Sequence, residues 1–295
     1  VRTSLFLAAA VVLTTVPATA QTSGLQDPLL DRLIGDWVLE GTIAGEHTTH
    51  DVVFEWVLEH QFSWLRREAP GFRVYFVPGS YALAHQDSLL ARLPAALTNA
   101  RRLIDAPDLA GPVDVFFIEN RAQMKALTGM SATGFAEASS RTVLLVTHSE
   151  WRSFERHEIM HVVAGQTWGP PGPDTAWLQE GLAQAADGRC AGYPNADMMM
   201  ALAERNGWIP LGVMLTQFRQ QPDLRAYLQA AVFVDYLLER YGLEPLRDFW
   251  RSGASPESRI NGRTLAAIER DWKGQLRAGP VDPISLASVE SRGCG

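Results

Sequence analysis

The stretch Phe154–Val163, "FERHEIMHVV", sets two histidines four positions apart with a glutamate directly after the first. On an α-helix, residues i and i+4 stand one above the other, so His157 and His161 present two imidazoles to one point about one turn tall. Two such nitrogens can chelate a single zinc ion. Glu158 lies beside them, offset around the helix, where its carboxylate reaches a water on the metal without ligating it. Zinc lowers the pKa of such a water to about 7, and the carboxylate takes its proton as the water attacks a carbonyl. The bland reading is three polar residues on the flank of an apolar helix, each histidine an ordinary hydrogen-bonded core residue. It needs the pattern to arise by chance, which the spacing makes rare.

The pattern still requires a third ligand. The candidate stands in "DTAWLQEGLAQAAD", Asp174–Asp187, where Asp174 or Thr175 can cap a new helix and Glu180 lies on it. Eighteen residues separate Glu180 from His161. Taken alone, Glu180 reads as a solvated helix carboxylate.

Together the two motifs resemble the gluzincin branch of zincin metallopeptidases, most closely the peptidase MA-like domains. Their signature is H-E-x-x-H, about eighteen residues, then W-L-x-E-G-x-A, here Trp177 to Ala183. The resemblance covers roughly residues 71–276 and implies an α+β, zincin-like two-lobe fold. A mixed sheet and helices would precede the HEIMH helix, a mostly helical lobe would follow it, and a zinc cleft would lie between. It implies Zn2+ held by His157, His161 and Glu180, Glu158 as general base, and a peptide or protein as substrate.

In aminopeptidase-type gluzincins a tyrosine stabilises the oxyanion, opening a helix that ends in Y-G or L-G. "YLQAAVFVDYLLERYG", Tyr227–Gly242, matches that register, so the resemblance nominates Tyr227; a plain helix-start tyrosine is the other reading. Tyr236 reads as core. The family's K-G after that tyrosine is replaced by Gln229-Ala230. Asp187, seven residues beyond Glu180, either accepts the second N–H of a ligating histidine or is an exposed helix-end acid. The G-x-M-E-N segment that grips a free amine is absent. "GFAEASSRTVLLV" offers Glu137 without the motif, which favours an endopeptidase whose "RTVLLV" strand pairs with extended substrate.

Outward from this centre, the chain opens with "VRTSLFLAAAVVLTTVPATAQ". A short apolar run ending in Ala18-Thr19-Ala20 reads as a secretory signal peptide over residues 1–20, cut after Ala20. The expected protein is exported, periplasmic or secreted, without a stable membrane anchor. Removing Arg2 with the leader takes the formal charge from −7 to −8, which argues against nucleic acid or an anionic membrane as the main partner. Cys190 and Cys294 can pair in an oxidising compartment, and two cysteines are too few for a cysteine-built zinc site. The length suits one large domain or two modest ones, with an oligomeric state the sequence leaves open.

Residues 21–69 read as a β-hairpin extension: "GDWVLEGTIAG" and "HDVVFEWVLEHQFSWLRRE" are rich in β-branched and aromatic residues around a polar break. Gly35-Asp36-Trp37 resembles the start of a lipocalin-like barrel, but the segment is too short for one. Residues 70–276 form the main domain. "FRVYFVPGS" predicts a strand followed by a helix capped by Ser80, with apolar residues from Leu89 to Leu103 in helical spacing. "VDVFFIE" and "RTVLLVT" predict strands, one at a sheet edge. Helices are expected near 153–166, 174–187, 196–206, 224–241 and 265–276. Residues 277–295, rich in Pro, Gly and Ser, read as an exposed flexible tail. Two rival functions stand beside the peptidase: an inactive zinc fold serving as a binding module, and a structural zinc site closed by a fourth protein ligand.

Overall fold

The computed structural model describes residues 35–43, 46–54, 64–149, 152–277 and 279–294. The expected leader, residues 1–20, lies outside the described residues. Chain contacts divide the protein into two units, Val1–Trp64 and Leu65–Gly295. In the first, β1 (Gly35–Ile43) and β2 (Glu46–Phe54) pair antiparallel, from Gly35↔Phe54 to Ile43↔Glu46. The strand Leu65–Ala69, grouped with this hairpin on sequence, belongs instead to the sheet of the second unit.

That second unit is α+β. Its five-stranded mixed sheet has the order β3-β4-β5-β7-β6, with β3 Leu65–Ala69, β4 Phe72–Phe76, β5 Val113–Ile118, β6 Gly134–Glu137 and β7 Thr142–Val146. The inner three strands run parallel, while β3 and β6 are antiparallel edges among the described residues. The expectation of an edge position for "VDVFFIE" or "RTVLLVT" is therefore wrong. Every residue of β5 and β7 is buried, the one charged side chain among them, Asp114, in an ion pair with Arg73, so both strands are interior. The edge falls to the short, half-exposed "GFAE".

Ser80 accepts a hydrogen bond from Leu83 N at 3.1 Å and opens α1 (Tyr81–Ala84), which leads into α2 (Gln86–Ile104). Leu89, Leu93, Ala96 and Ala100 of α2 are buried in one core with Val74, Phe76, Val115, Phe117 and Leu145 of the sheet. Past β5 comes α3 (Arg121–Thr128), then β6, β7 and α4 (Glu155–Trp168). After α4 the chain is helical apart from two short ladders: α5 Ala176–Asp187, α6 Asn195–Asn206, α7 Leu211–Thr216, α8 Asp223–Tyr241, α9 Glu244–Ser252, α10 Leu265–Gln275 and α11 Pro283–Arg292. Trp177 of α5, Phe233 of α8 and Trp272 of α10 form an aromatic chain with ring centroids 6.1 and 4.9 Å apart. Such contacts add specific orientation to a large apolar burial.

The expected C-terminal tail is a second correction. Asp282 caps α11 by accepting from Ser285 N at 2.8 Å, and Leu286 and Val289, three apart on one helical face, are buried. Cys294 is disulfide-bonded to Cys190, so the end of the chain is covalently fixed. Composition missed this because two apolar residues and one cap suffice when a covalent bond holds the helix down.

Candidate metal centre

α4 carries His157, Glu158 and His161, and most of it is enclosed: Ile159, Met160, Val162, Val163 and Ala164 are buried in the core, and Glu155, His157 and Glu158 are buried with them. A helix so enclosed holds its polar residues at fixed positions. α5 brings Glu180 opposite. Its start differs in detail from expectation, since the Thr175 hydroxyl makes no cap bond; it donates to Gly172 O and accepts from Gln179 Nε2. Gly181 lets α5 approach α8, for a Cβ there would lie 2.9 Å from Val234 Cγ2 and 3.1 Å from the Ala230 carbonyl.

The Nε2 atoms of His157 and His161 lie 3.2 and 3.4 Å from the same oxygen, Glu180 Oε2. One ligand atom from each of the three residues falls within 4.8 Å of the others. His157 and Glu180 are buried and His161 is half-buried. Burial alone would lift the Glu180 pKa, but the neighbouring histidine charges and their hydrogen bonds hold it well below the usual carboxylate range. Burial likewise opposes charge on His161, yet Glu180 outweighs it and raises that pKa. Two imidazole nitrogens and a carboxylate oxygen thus converge on a spot that favours positive charge. The donor set fits a divalent metal.

Glu158 is buried beside this cluster. Burial pushes its pKa up, against the pull of His157 and His161. The edge strand β6 passes directly over it: a Cβ on Gly134 would lie 2.1 Å from Glu158 Oε1. Only a glycine leaves room for the carboxylate there, a constraint that exists nowhere in the local sequence. Tyr227, in the second turn of α8, lays its ring 15° from the plane of His157 at 6.0 Å. Burial, then the charge of Glu180, keeps its hydroxyl protonated well above the ordinary tyrosine range.

All five nominated residues line one cavity of about 660 Å³. Arg219, on a single 3-10 turn at Phe218–Gln220, also lines it, and its charge acts on both His161 and Tyr227. Sequence reasoning passed over Arg219 and Gly134, since neither belongs to a motif. Glu137 does not line the cleft; its carboxylate accepts from Ser139 N and Oγ at the β6–β7 turn. Asp187 is buried, not an exposed helix-end acid. Its Oδ1 accepts from Arg152 Nη2, its Oδ2 has no hydrogen-bond partner, and burial raises its pKa against the pull of Arg152 and His157. Gln229 is fully buried, accepting from Ile209 N at 2.9 Å and donating to Ile209 O at 2.7 Å. It stitches α8 to the segment before α7. No protein-family model matches the chain, and no curated protein matches it.

Proposed function

We propose that the chain is an exported zinc-dependent peptidase of the gluzincin kind, cleaving peptide bonds within extended protein or peptide substrates. The observation that carries this reading is the convergence of His157, His161 and Glu180 with Glu158 alongside, in a cleft bordered by an edge strand. His157, His161 and Glu180 would hold the zinc, which when bound supplies Lewis-acid activation of a water and a carbonyl. Glu158 takes a proton from the attacking water and passes it to the amide nitrogen as the C–N bond breaks. Tyr227, held in its protonated form, donates a hydrogen bond to the oxygen that develops negative charge. The substrate backbone pairs with β6, not with the "RTVLLV" strand, whose two sides are already taken by β5 and β6. The absence of an amine-gripping motif keeps the endopeptidase reading.

The deciding experiment combines bound metal per chain with peptidase assays of the purified protein, His161→Ala and Glu158→Gln. The expected result is about one zinc in the first and third, none in His161→Ala, and turnover only in the first. Turnover retained by Glu158→Gln would overturn the mechanism. A folded chain that takes up no zinc would remove the basis of the reading and leave ligand capture by an inactive fold.

A further inference from the structure

A second cavity of about 320 Å³ opens beyond the carboxyl ends of parallel strands β4 and β7, on residues outside the metal cluster. Open sheets with parallel strands bind ligands at that end, where loops and helix starts converge. Among the described residues no carboxylate lines this cavity; its polar wall is arginine, histidine, tyrosine and hydroxyl groups.

Two arginines reach it from different elements, and each is anchored behind by a buried acid. Arg92 of α2 binds Glu155 Oε1 at 2.6 Å and Ser153 Oγ at 3.3 Å, while its side chain stays 51% exposed. Arg152, before α4, binds Asp187 through one Nη and stays 39% exposed. A guanidinium carries five N–H donors in a rigid fork, so one or two bonds to an anchoring acid leave donors for a ligand and remove much of the ordering cost. Ser88, one turn before Arg92 on α2, and Ser149 after β7 add hydroxyls. The Thr147 hydroxyl, on the same wall, is buried without a hydrogen-bond partner. One side is aromatic, with Tyr81 and His85 stacked at 4.0 Å.

We propose that this cavity binds a phosphate group, either free or as the monoester of a small molecule. Guanidiniums from α2 and from the segment before α4, with hydroxyls beside each, match the several acceptor oxygens of a phosphate. The volume exceeds what one phosphate fills, and the Tyr81–His85 wall offers an apolar face to an organic remainder.

The test is calorimetric titration of the full chain with inorganic phosphate and, separately, with glycerol 1-phosphate. Replacing either arginine would strand a buried acid, so the main variant is Ser88→Asp, an exposed helix position that adds a repelling charge and removes no buried bond. Ser88→Asn serves as its folding control, and His161→Ala separates this site from phosphate on the metal centre. The expected result is one saturable site, weakened about tenfold or more by Ser88→Asp. Ser88→Asn, which loses the hydroxyl but adds no charge, should weaken binding less than Ser88→Asp, and His161→Ala should bind like the parent. Tighter binding of the monoester identifies an organic phosphate as the ligand, and equal binding identifies free phosphate. No saturation at tens of millimolar, indifference to Ser88→Asp, or loss in His161→Ala would each overturn the proposal. Because the site does not use the metal, it stands or falls apart from the peptidase reading.

Discussion

At the scale of single residues, the proposed chemistry depends on how little room the site leaves. Gly134 faces Glu158 so closely that any side chain there must displace the carboxylate. On the proposed function, Gly134→Ala is expected to keep the metal and reduce peptidase turnover by about 10²-fold, the loss typical when a catalytic group is misplaced. Parallel measurements of metal content and initial rate check this. Unchanged turnover would mean that Glu158 has more freedom than the geometry allows.

The charges of the metal-free cluster make a second residue-scale prediction. Glu180 has a depressed pKa, so its stabilisation is present above the unfolded value of about 4.3 and is lost as pH falls through the folded value. His161 has a raised pKa, so its contribution is full below about 6.5 and is lost as pH rises through the folded value. The chelator-treated protein should therefore be most stable in the mildly acidic window between these limits. If the proposed zinc site forms, zinc should move the optimum upward, because the ion replaces the proton and is bound better as protons leave. Thermal unfolding with and without chelator across that range decides it, and a metal-free optimum well above pH 7 would contradict the charge balance.

At the scale of elements, the second half of the protein is held by contacts between helices far apart in sequence. Gln229 satisfies both the N–H and the carbonyl of Ile209 while fully buried. Gln229→Leu keeps the volume but leaves two backbone groups without partners. The expected loss is about 3 kcal/mol, seen as a lower denaturant midpoint at unchanged slope. A change below about 0.5 kcal/mol would mean that water replaces both bonds. Helices α5 and α8 were legible because apolar spacing runs through each for several turns, and α4 because its two histidines stand one turn apart. The edge strand β6, four residues long with glycine at its start, carried no such signal. The strands β5 and β7 were legible as strands but not as interior ones, since strand order is a property of pairing and not of either segment alone.

At the scale of the whole molecule, the disulfide between Cys190 and Cys294 closes a loop with a sequence separation of 104. Closing so long a loop restricts the unfolded chain, and its loss is expected to cost about 4 kcal/mol. The double variant Cys190→Ala, Cys294→Ala should unfold about 10 °C lower than the parent. No shift would mean that packing of Leu286 and Val289 alone secures α11. The sequence by itself determined the register of His157, Glu158 and His161, the helix bearing Glu180, and the strand character of β5 and β7. These are local features, fixed by a period of 3.6 or 2 residues and by the chemistry of adjacent side chains. Tertiary structure alone decided that Gly134 covers Glu158, that Arg219 joins the cleft, that Asp187 is buried against Arg152, and that the C-terminal residues form a pinned helix. Each joins segments distant along the chain, and no local pattern records which of many possible partners the folded core brings within reach.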